Sequence, residues 1–129
     1  MDKETIEKAK KEWELIQQLG LEDILYKPYC LLENYTPYVY MIYNKNNTVI
    51  YVGRTERLSK RLCDHKLNDF WWNEVDKITV SKLKSKTDMA IYEIYYINKF
   101  KPKYNTKDKF DDYCTLKLKE LKFEEYKEW

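Results

Sequence analysis

The sequence predicts an α+β domain in which a three-stranded antiparallel sheet is flanked by helices, with a further helix at each end of the chain. Two observations support the sheet. β-branched and aromatic runs at residues 37–43 and 48–52 enclose the turn sequence NKNN, and residues 77–83 alternate like a third strand. A third observation supports the helices, because apolar residues recur at spacings of three and four around these runs.

The first element is predicted to be an amphipathic helix that ends at Gly20. Residues 21–35, which follow it, show no clear pattern. The apolar positions at helical spacing are Ile6, Ala9, Trp13, Ile16 and Leu19.

The next helix is predicted over residues 56–66, after Gly53 breaks the second strand. Leu58 and Leu62 then lie one turn apart on its buried side. Residues 68–73 are predicted to form a loop or a short helix.

Two later helices complete the prediction. Ser85 and Thr87 offer N-caps to a helix that runs to about Phe100, and Pro102 stops it. A last helix is expected over residues 114–126. Its packing residues would be Leu116, Leu118, Leu121 and Phe123.

The 129-residue chain fits a single domain, and its net charge of +2 is unevenly distributed. We divide it into an N-terminal helical extension at residues 1–36, a core at residues 37–109 and a C-terminal helical extension at residues 110–129. The core holds fifteen Lys and Arg against eight Asp and Glu, whereas both extensions are net acidic. A polyanion-binding core has this distribution, and so does a solvated lysine-rich face.

Composition disfavours several classes of protein. No run approaches the roughly 18 apolar residues of a membrane span. The charged start does not resemble a secretory signal, so a cytoplasmic or intracellular protein without a membrane partner is expected. The three cysteines form no C-x-x-C pair, so neither a disulfide framework nor a zinc site is expected, and Cys63 is interpreted as a thiol near an unrelated His65. Abundant Lys, Asn and Tyr are typical of AT-rich genomes, such as those of phages, other mobile elements or low-GC bacteria.

Glu93 is an acidic residue on an apolar helix face. On a helical wheel, its neighbours within about 60° are Met89, Ala90, Tyr96, Ile97 and Phe100. A buried carboxylate is costly without a partner such as an arginine, a set of hydrogen bonds or a metal ion. A structural salt bridge and a functional site are both consistent with this position.

A basic segment follows the hairpin. Arg57, Arg61 and His65 recur every four residues, and Arg54 lies just before them. Guanidinium groups suit the oxygens of a phosphate diester, although an exposed cationic helix face has the same pattern. Phosphodiester cleavage also uses a divalent cation and a base, and a tyrosine can act as base or orienting donor if nearby cations lower its pKa.

These residues together resemble, in order and spacing, the GIY-YIG nuclease domain over residues 37–105. The matching motifs are Tyr38-Val-Tyr40, Tyr51-Val-Gly53, Arg61, His65, Glu93 and Lys101-Pro-Lys-Tyr-Asn105. Each motif is weak alone, but their common register is specific. The family's fold, a three-stranded antiparallel sheet with flanking helices, agrees with the elements predicted above.

The resemblance implies a role for each matching side chain. Tyr40 or Tyr51 would help to activate or orient the attacking water. Arg61 would hold the scissile phosphate and its transition-state charge, and His65 would assist proton transfer. Glu93 would be the single carboxylate ligand of a Mg²⁺ or Mn²⁺ ion.

Gly53 would allow a tight backbone, and Asn105 would orient neighbouring groups. Tyr38 replaces the first glycine of the family signature, which affects the expected strand path and substrate fit more than the chemistry. The other cationic residues assigned to nucleic-acid binding are Arg54, Arg57, Lys60, Lys66, Lys101 and Lys103.

The predicted function is a divalent-metal-dependent endonuclease that hydrolyses phosphodiester bonds of nucleic acid, with DNA favoured over RNA. The alternative is a non-catalytic module that binds nucleic acid or protein on the same fold. Aromatic residues of the two extensions either pack on the core or form a surface for a homodimer or another partner. These residues are Trp13, Phe123, Tyr126 and Trp129.

Overall fold

The computed structural model describes residues 3–21 and 35–129, so most of the unpatterned segment 21–35 lies outside the described residues. The elements are α1 (Lys3–Gln18), β1 (Tyr38–Tyr43), β2 (Val49–Thr55), α2 (Leu58–Asn68), a 3-10 helix (Phe70–Glu74), β3 (Lys77–Lys82), α3 (Lys86–Phe100) and β4 (Glu124–Glu125). None of the helices within the described ranges is long and apolar enough to cross a membrane.

The sheet has four antiparallel strands in the order β2-β1-β3-β4, and not the three that the sequence predicts. The additional strand, β4, pairs with β3 at Thr79 and Val80. It lies inside the segment 114–126, so the helix predicted there is wrong: the segment is extended. Leu121 and Phe123 both pack against the α3 side of the core, because residues two apart on an extended chain face the same way.

The hairpin between β1 and β2 forms as predicted. Asn44 Oδ1 accepts hydrogen bonds from the backbone N–H groups of Asn46 and Thr48, both at 3.0 Å, and Asn47 adopts a left-handed conformation with φ 59°. Tyr38 pairs regularly with Thr55 and Lys82, so its replacement of the signature glycine leaves the strand register intact.

The expectation that Gly53 breaks the second strand is wrong, because β2 continues through it to Thr55. As a result α2 begins at Leu58, two residues later than the predicted start at residue 56. Leu58 and Leu62 are both buried, as expected.

The sheet separates two core layers. Residues that alternate along β1 point to opposite faces, so Val39 and Met41 pack with α3, whereas Tyr40 and Ile42 pack with α2 and the 3-10 helix. The α3 layer includes Met89, Tyr96 and Ile97, and the α2 layer includes Leu58, Leu62 and Trp71.

The ends of α3 agree with the sequence prediction. The Ser85 side chain accepts a hydrogen bond from the Asp88 backbone N–H at 3.0 Å and caps the N-terminus. At the other end Lys101 adopts a left-handed conformation and donates its backbone N–H to Ile97, directly before Pro102. The buried Met89, Tyr96 and Ile97 turn one face of α3 toward the sheet.

Candidate active site

The candidate site lies at the free edge of β2, the outermost strand of the sheet. Asn105 covers part of that edge: its Oδ1 accepts from the Val52 N–H, and its Nδ2 donates to the Val52 carbonyl, both at 2.9 Å. The Tyr104 N–H donates to the Ile50 carbonyl next to it. Asn105 therefore holds the backbone of β2 at Val52, and it is itself buried.

Gly53 provides space for the Tyr40 ring. The two residues are cross-strand neighbours, and a Cβ atom on Gly53 would lie 2.3 Å from both Cζ and Oη of Tyr40. No heavier side chain fits there without displacing the phenol. A glycine is therefore required at this position because the Tyr40 side chain packs against its backbone, and not because the backbone turns there.

Tyr40 and His65 form a buried pair beneath the site. Tyr40 Oη is 2.7 Å from His65 Nε2, and the two residues are 0% and 1% exposed. Burial is the main cause that raises the pKa of Tyr40 well above its usual value, so lowering by nearby cations does not prevail in the metal-free protein. Burial also lowers the pKa of His65, against the opposing effect of the Asp69 carboxylate.

Arg61 precedes His65 by one turn of α2 and lies close enough to both motif tyrosines, Tyr40 and Tyr51, for their phenols to affect its pKa. Burial by itself lowers the pKa of Arg61, but the two phenols raise it, so the guanidinium stays charged. Tyr51 is the more exposed phenol, and its ring stacks on Trp71 with centroids 5.3 Å apart.

Glu93 reaches the same edge from α3, on the other face of the sheet. Its side chain is 16% exposed, and its Oε1 is 3.6 Å from the Nε of Arg54. Burial raises the pKa of Glu93, and Arg54 opposes that effect. The helix face around Glu93 is only partly buried, because Phe100 is 41% exposed.

The donor set fits one small, hard cation. The charge of Glu93 affects the pKa of Tyr40, and that of Arg61 affects the pKa of Glu93, so the carboxylate lies within electrostatic range of the phenol and the guanidinium. The described residues contain no group of three or more His, Cys, Asp or Glu side chains that could hold a metal. Magnesium is commonly held by one or two carboxylates and keeps several waters, so a single half-buried glutamate suits it.

Two of the predicted nucleic-acid contacts lie beside Arg61. A shallow open groove is lined by Arg57, Lys60 and Arg61, together with Tyr35, Thr55, Glu56 and Asp64. Lys60 Nζ is 3.2 Å from an Asp64 oxygen within this groove. Lys66 lies elsewhere, on a cavity between α1, α2 and the C-terminal segment.

The remaining predicted contacts are partly engaged within the chain. Lys101 donates to the carbonyls of Phe110 and Asp112, and its ammonium lies over the Tyr113 ring, so it holds the segment that follows α3. Lys103 is exposed, with its Nζ 3.9 Å from Glu74. Arg54 is the partner of Glu93, as described above.

Sequence reasoning did not select Asp69 or Trp71. Asp69 Oδ2 is 2.5 Å from His65 Nδ1, and the spacing of four residues on one helix was the available signal. Both nitrogens of His65 are thus within hydrogen-bonding distance of a partner, Tyr40 at Nε2 and Asp69 at Nδ1.

The fold and this site define a class of α+β protein with a tyrosine, arginine and glutamate cluster at a sheet edge. A family model described as the GIY-YIG catalytic domain matches residues 36–105. The chain therefore belongs to the GIY-YIG family, and the predicted class of enzyme, a GIY-YIG endonuclease, is confirmed at the level of the family.

Curated relatives and solved structures agree with this assignment. The UvrABC system protein C of Shewanella frigidimarina is 37% identical over 83 residues, and that of Vibrio parahaemolyticus is 36% identical over 76. The matches cover 57% and 54% of this chain but only 14% and 12% of those proteins, so the likeness is to one domain. The GIY-YIG N-terminal endonuclease domain of UvrC from Thermotoga maritima, solved with its catalytic magnesium, matches with a TM-score of 0.51 and 32% identity, over 60% of this chain and 92% of that one.

Proposed function

We propose that this chain is a divalent-metal-dependent endonuclease that hydrolyses phosphodiester bonds of nucleic acid, with DNA as the first substrate to test. The observation that carries the proposal is the meeting of Arg61, the two phenols and the half-buried Glu93 carboxylate at one sheet edge. The matched Thermotoga domain, an endonuclease domain bound to its catalytic magnesium, supports it.

Arg61 is the group that we assign to the scissile phosphate. A guanidinium donates two parallel hydrogen bonds to phosphate oxygens, and partial burial leaves its charge less screened than that of a surface arginine. The groove lined by Arg57 and Lys60 leads to it and offers a cationic path for the backbone of the substrate.

Glu93 is the residue that would hold the Mg²⁺ or Mn²⁺ ion. When bound, such an ion polarises the phosphate and its own water ligands. The Nε of Arg54 lies 3.6 Å from Glu93 Oε1, so Arg54 would offset part of the carboxylate charge and would stand beside the cation site. Tyr51, the more exposed of the two phenols, is assigned to orient the attacking water, and the buried Tyr40 to hold Arg61.

A cleavage panel tests the proposal. Duplex, branched and single-stranded DNA and RNA are incubated with Mg²⁺ or Mn²⁺ and with wild-type protein, Arg61→Ala or the control Lys45→Ala, an exposed residue of the hairpin turn. We expect wild type and the control to cut at least one substrate, and Arg61→Ala to lose about 100-fold or more in turnover.

Binding measurements on the same variants separate an enzyme from a non-catalytic binding module. Arg61→Ala should lose turnover but keep its affinity within about tenfold, since one phosphate contact among several is removed. Absence of cleavage by wild type with every substrate and both metals, together with retained nucleic-acid affinity, would favour the binding module.

A further inference from the structure

Four side chains form a continuous chain of polar contacts that begins outside the GIY-YIG motifs, at Asp69. Asp69 Oδ2 is 2.5 Å from His65 Nδ1, His65 Nε2 is 2.7 Å from Tyr40 Oη, and the Arg61 guanidinium is close enough to the Tyr40 phenol to act on its pKa. The two middle members are almost completely buried, so water does not supply alternative partners. The chain joins a carboxylate at the end of α2 to the guanidinium at the site.

The chemistry of the two ends determines where every hydrogen lies. An ionised carboxylate only accepts, so His65 Nδ1 carries a proton and donates it to Asp69. In a neutral imidazole the other nitrogen is then bare, so His65 Nε2 accepts the Tyr40 hydroxyl proton. A guanidinium only donates, so the Tyr40 oxygen, with its hydrogen directed toward His65, presents its lone pairs to Arg61.

We propose that Asp69 is a positioning residue that sets the tautomer of His65 and, through Tyr40, the orientation of Arg61. The consequence for catalysis rests on the proposed function, in which Arg61 holds the scissile phosphate. The tautomer itself does not depend on that function. Arg61, Asp64 and Asp69 are the charged groups that act on the imidazole, and the rings of Tyr51 and Trp71 pack against it.

This arrangement of hydrogens requires a neutral imidazole at His65. A protonated His65 would donate from both nitrogens and would force the Tyr40 hydrogen toward Arg61, which has no acceptor. Burial lowers the pKa of His65 and so favours the neutral form that the chain requires. In Asp69→Asn the amide can donate to Nδ1, which reverses the tautomer and turns two donors toward each other at Arg61.

His65 is the only histidine in the 129-residue chain, so its ring nitrogens can be observed without assignment. Two-bond ¹H–¹⁵N correlation spectra of histidine-labelled protein at neutral pH report the tautomer directly. We expect the Nδ1–H form in wild type and in the control Asp64→Asn, which removes a carboxylate from the same helix. We expect loss of that preference in Asp69→Asn. An Nε2–H or charged imidazole in wild type, or an unchanged tautomer in Asp69→Asn, overturns the proposal.

Kinetics on a cleaved substrate provide the second readout. We expect Asp69→Asn to lower kcat about 10- to 100-fold, with KM changed less than about threefold, and the exposed Asp76→Asn to match wild type. If Asp69→Asn lowers only the melting temperature and keeps kcat, Asp69 is merely structural and the proposal is wrong. If wild type cuts nothing, the proposed function fails, and the tautomer spectra alone decide whether Asp69 positions His65.

Discussion

At the scale of single residues, the environment of Glu93 allows a test that distinguishes a metal ligand from a structural ion pair. Its carboxylate is largely buried and has an arginine neighbour, so it could be either a structural ion pair or a metal ligand. Burial holds its pKa above the ordinary value, so the folded protein binds a proton at Glu93 more tightly than the unfolded chain does. The stability contributed by that proton is present at low pH and is lost as the pH rises through the raised pKa of Glu93.

Replacing Glu93 by Gln should therefore stabilise the metal-free protein at neutral pH while abolishing metal-dependent cleavage. We expect the free energy of unfolding to rise by about 0.5–1 kcal/mol, since removing a strained functional charge commonly stabilises a protein. Urea denaturation at neutral and acidic pH measures it, and the gain should shrink as pH falls. A structural ion pair with Arg54 predicts the opposite sign, a loss of stability in Glu93→Gln.

Gly53 is the second residue at which a substitution should have a defined effect on stability. A methyl group there would overlap the Tyr40 ring, so Gly53→Ala should cost about 1–3 kcal/mol and displace the phenol from His65. A double-mutant cycle by urea denaturation checks the cause: in a Tyr40→Leu background the same change should cost clearly less. An equal cost in both backgrounds would place the origin elsewhere in β2.

At the scale of elements, the C-terminal segment joins both layers of the core. Glu120 accepts from Tyr96 of α3, β4 pairs with β3, and Tyr126 hydrogen-bonds to Ser59 of α2. The segment thus crosses the outer edge of the sheet from one helix layer to the other. This packing fits one of the two sequence alternatives for Phe123 and Tyr126, whereas Trp129 is 41% exposed.

Phe123→Ala should destabilise the domain although it lies far from the candidate site. Its ring packs edge-on against Tyr96, with centroids 5.2 Å apart, and we expect a cost of about 2–4 kcal/mol. Phe110→Ala is the matched control, because that ring is 58% exposed and should cost less than about 0.5 kcal/mol. Thermal unfolding of the two variants compares them, and similar melting temperatures would contradict the packing of this segment.

At the scale of the whole molecule, positive charge is concentrated in residues 37–109, and part of it lines the groove at Arg61. Net charge of this kind acts on association and on salt dependence more than on fold. Homodimerisation stays a prediction, which size-exclusion chromatography with light scattering would check.

Removal of groove charges should reduce the salt dependence of nucleic-acid binding. We expect Arg57→Ala/Lys60→Ala to lower the slope of log affinity against log salt by about one per lost phosphate contact. Lys45→Ala, in the hairpin turn, should leave the slope unchanged. Fluorescence anisotropy titrations over a range of salt measure both, and an unchanged slope in the double variant would place the substrate outside this groove.

Local patterns alone were sufficient for the hairpin and for α3 with its Ser85 cap, because turn chemistry, capping and periodicity act over a few residues. The sequence also determined the family, since its motifs recur in register. Only the tertiary structure decided that residues 124–125 form a strand, because pairing with β3 outweighs local helical preference. The tertiary structure likewise decided that Arg54 is the partner of Glu93 and that Gly53 accommodates the Tyr40 ring. These contacts join residues far apart in the chain, and local sequence patterns do not show which distant residues approach each other in space.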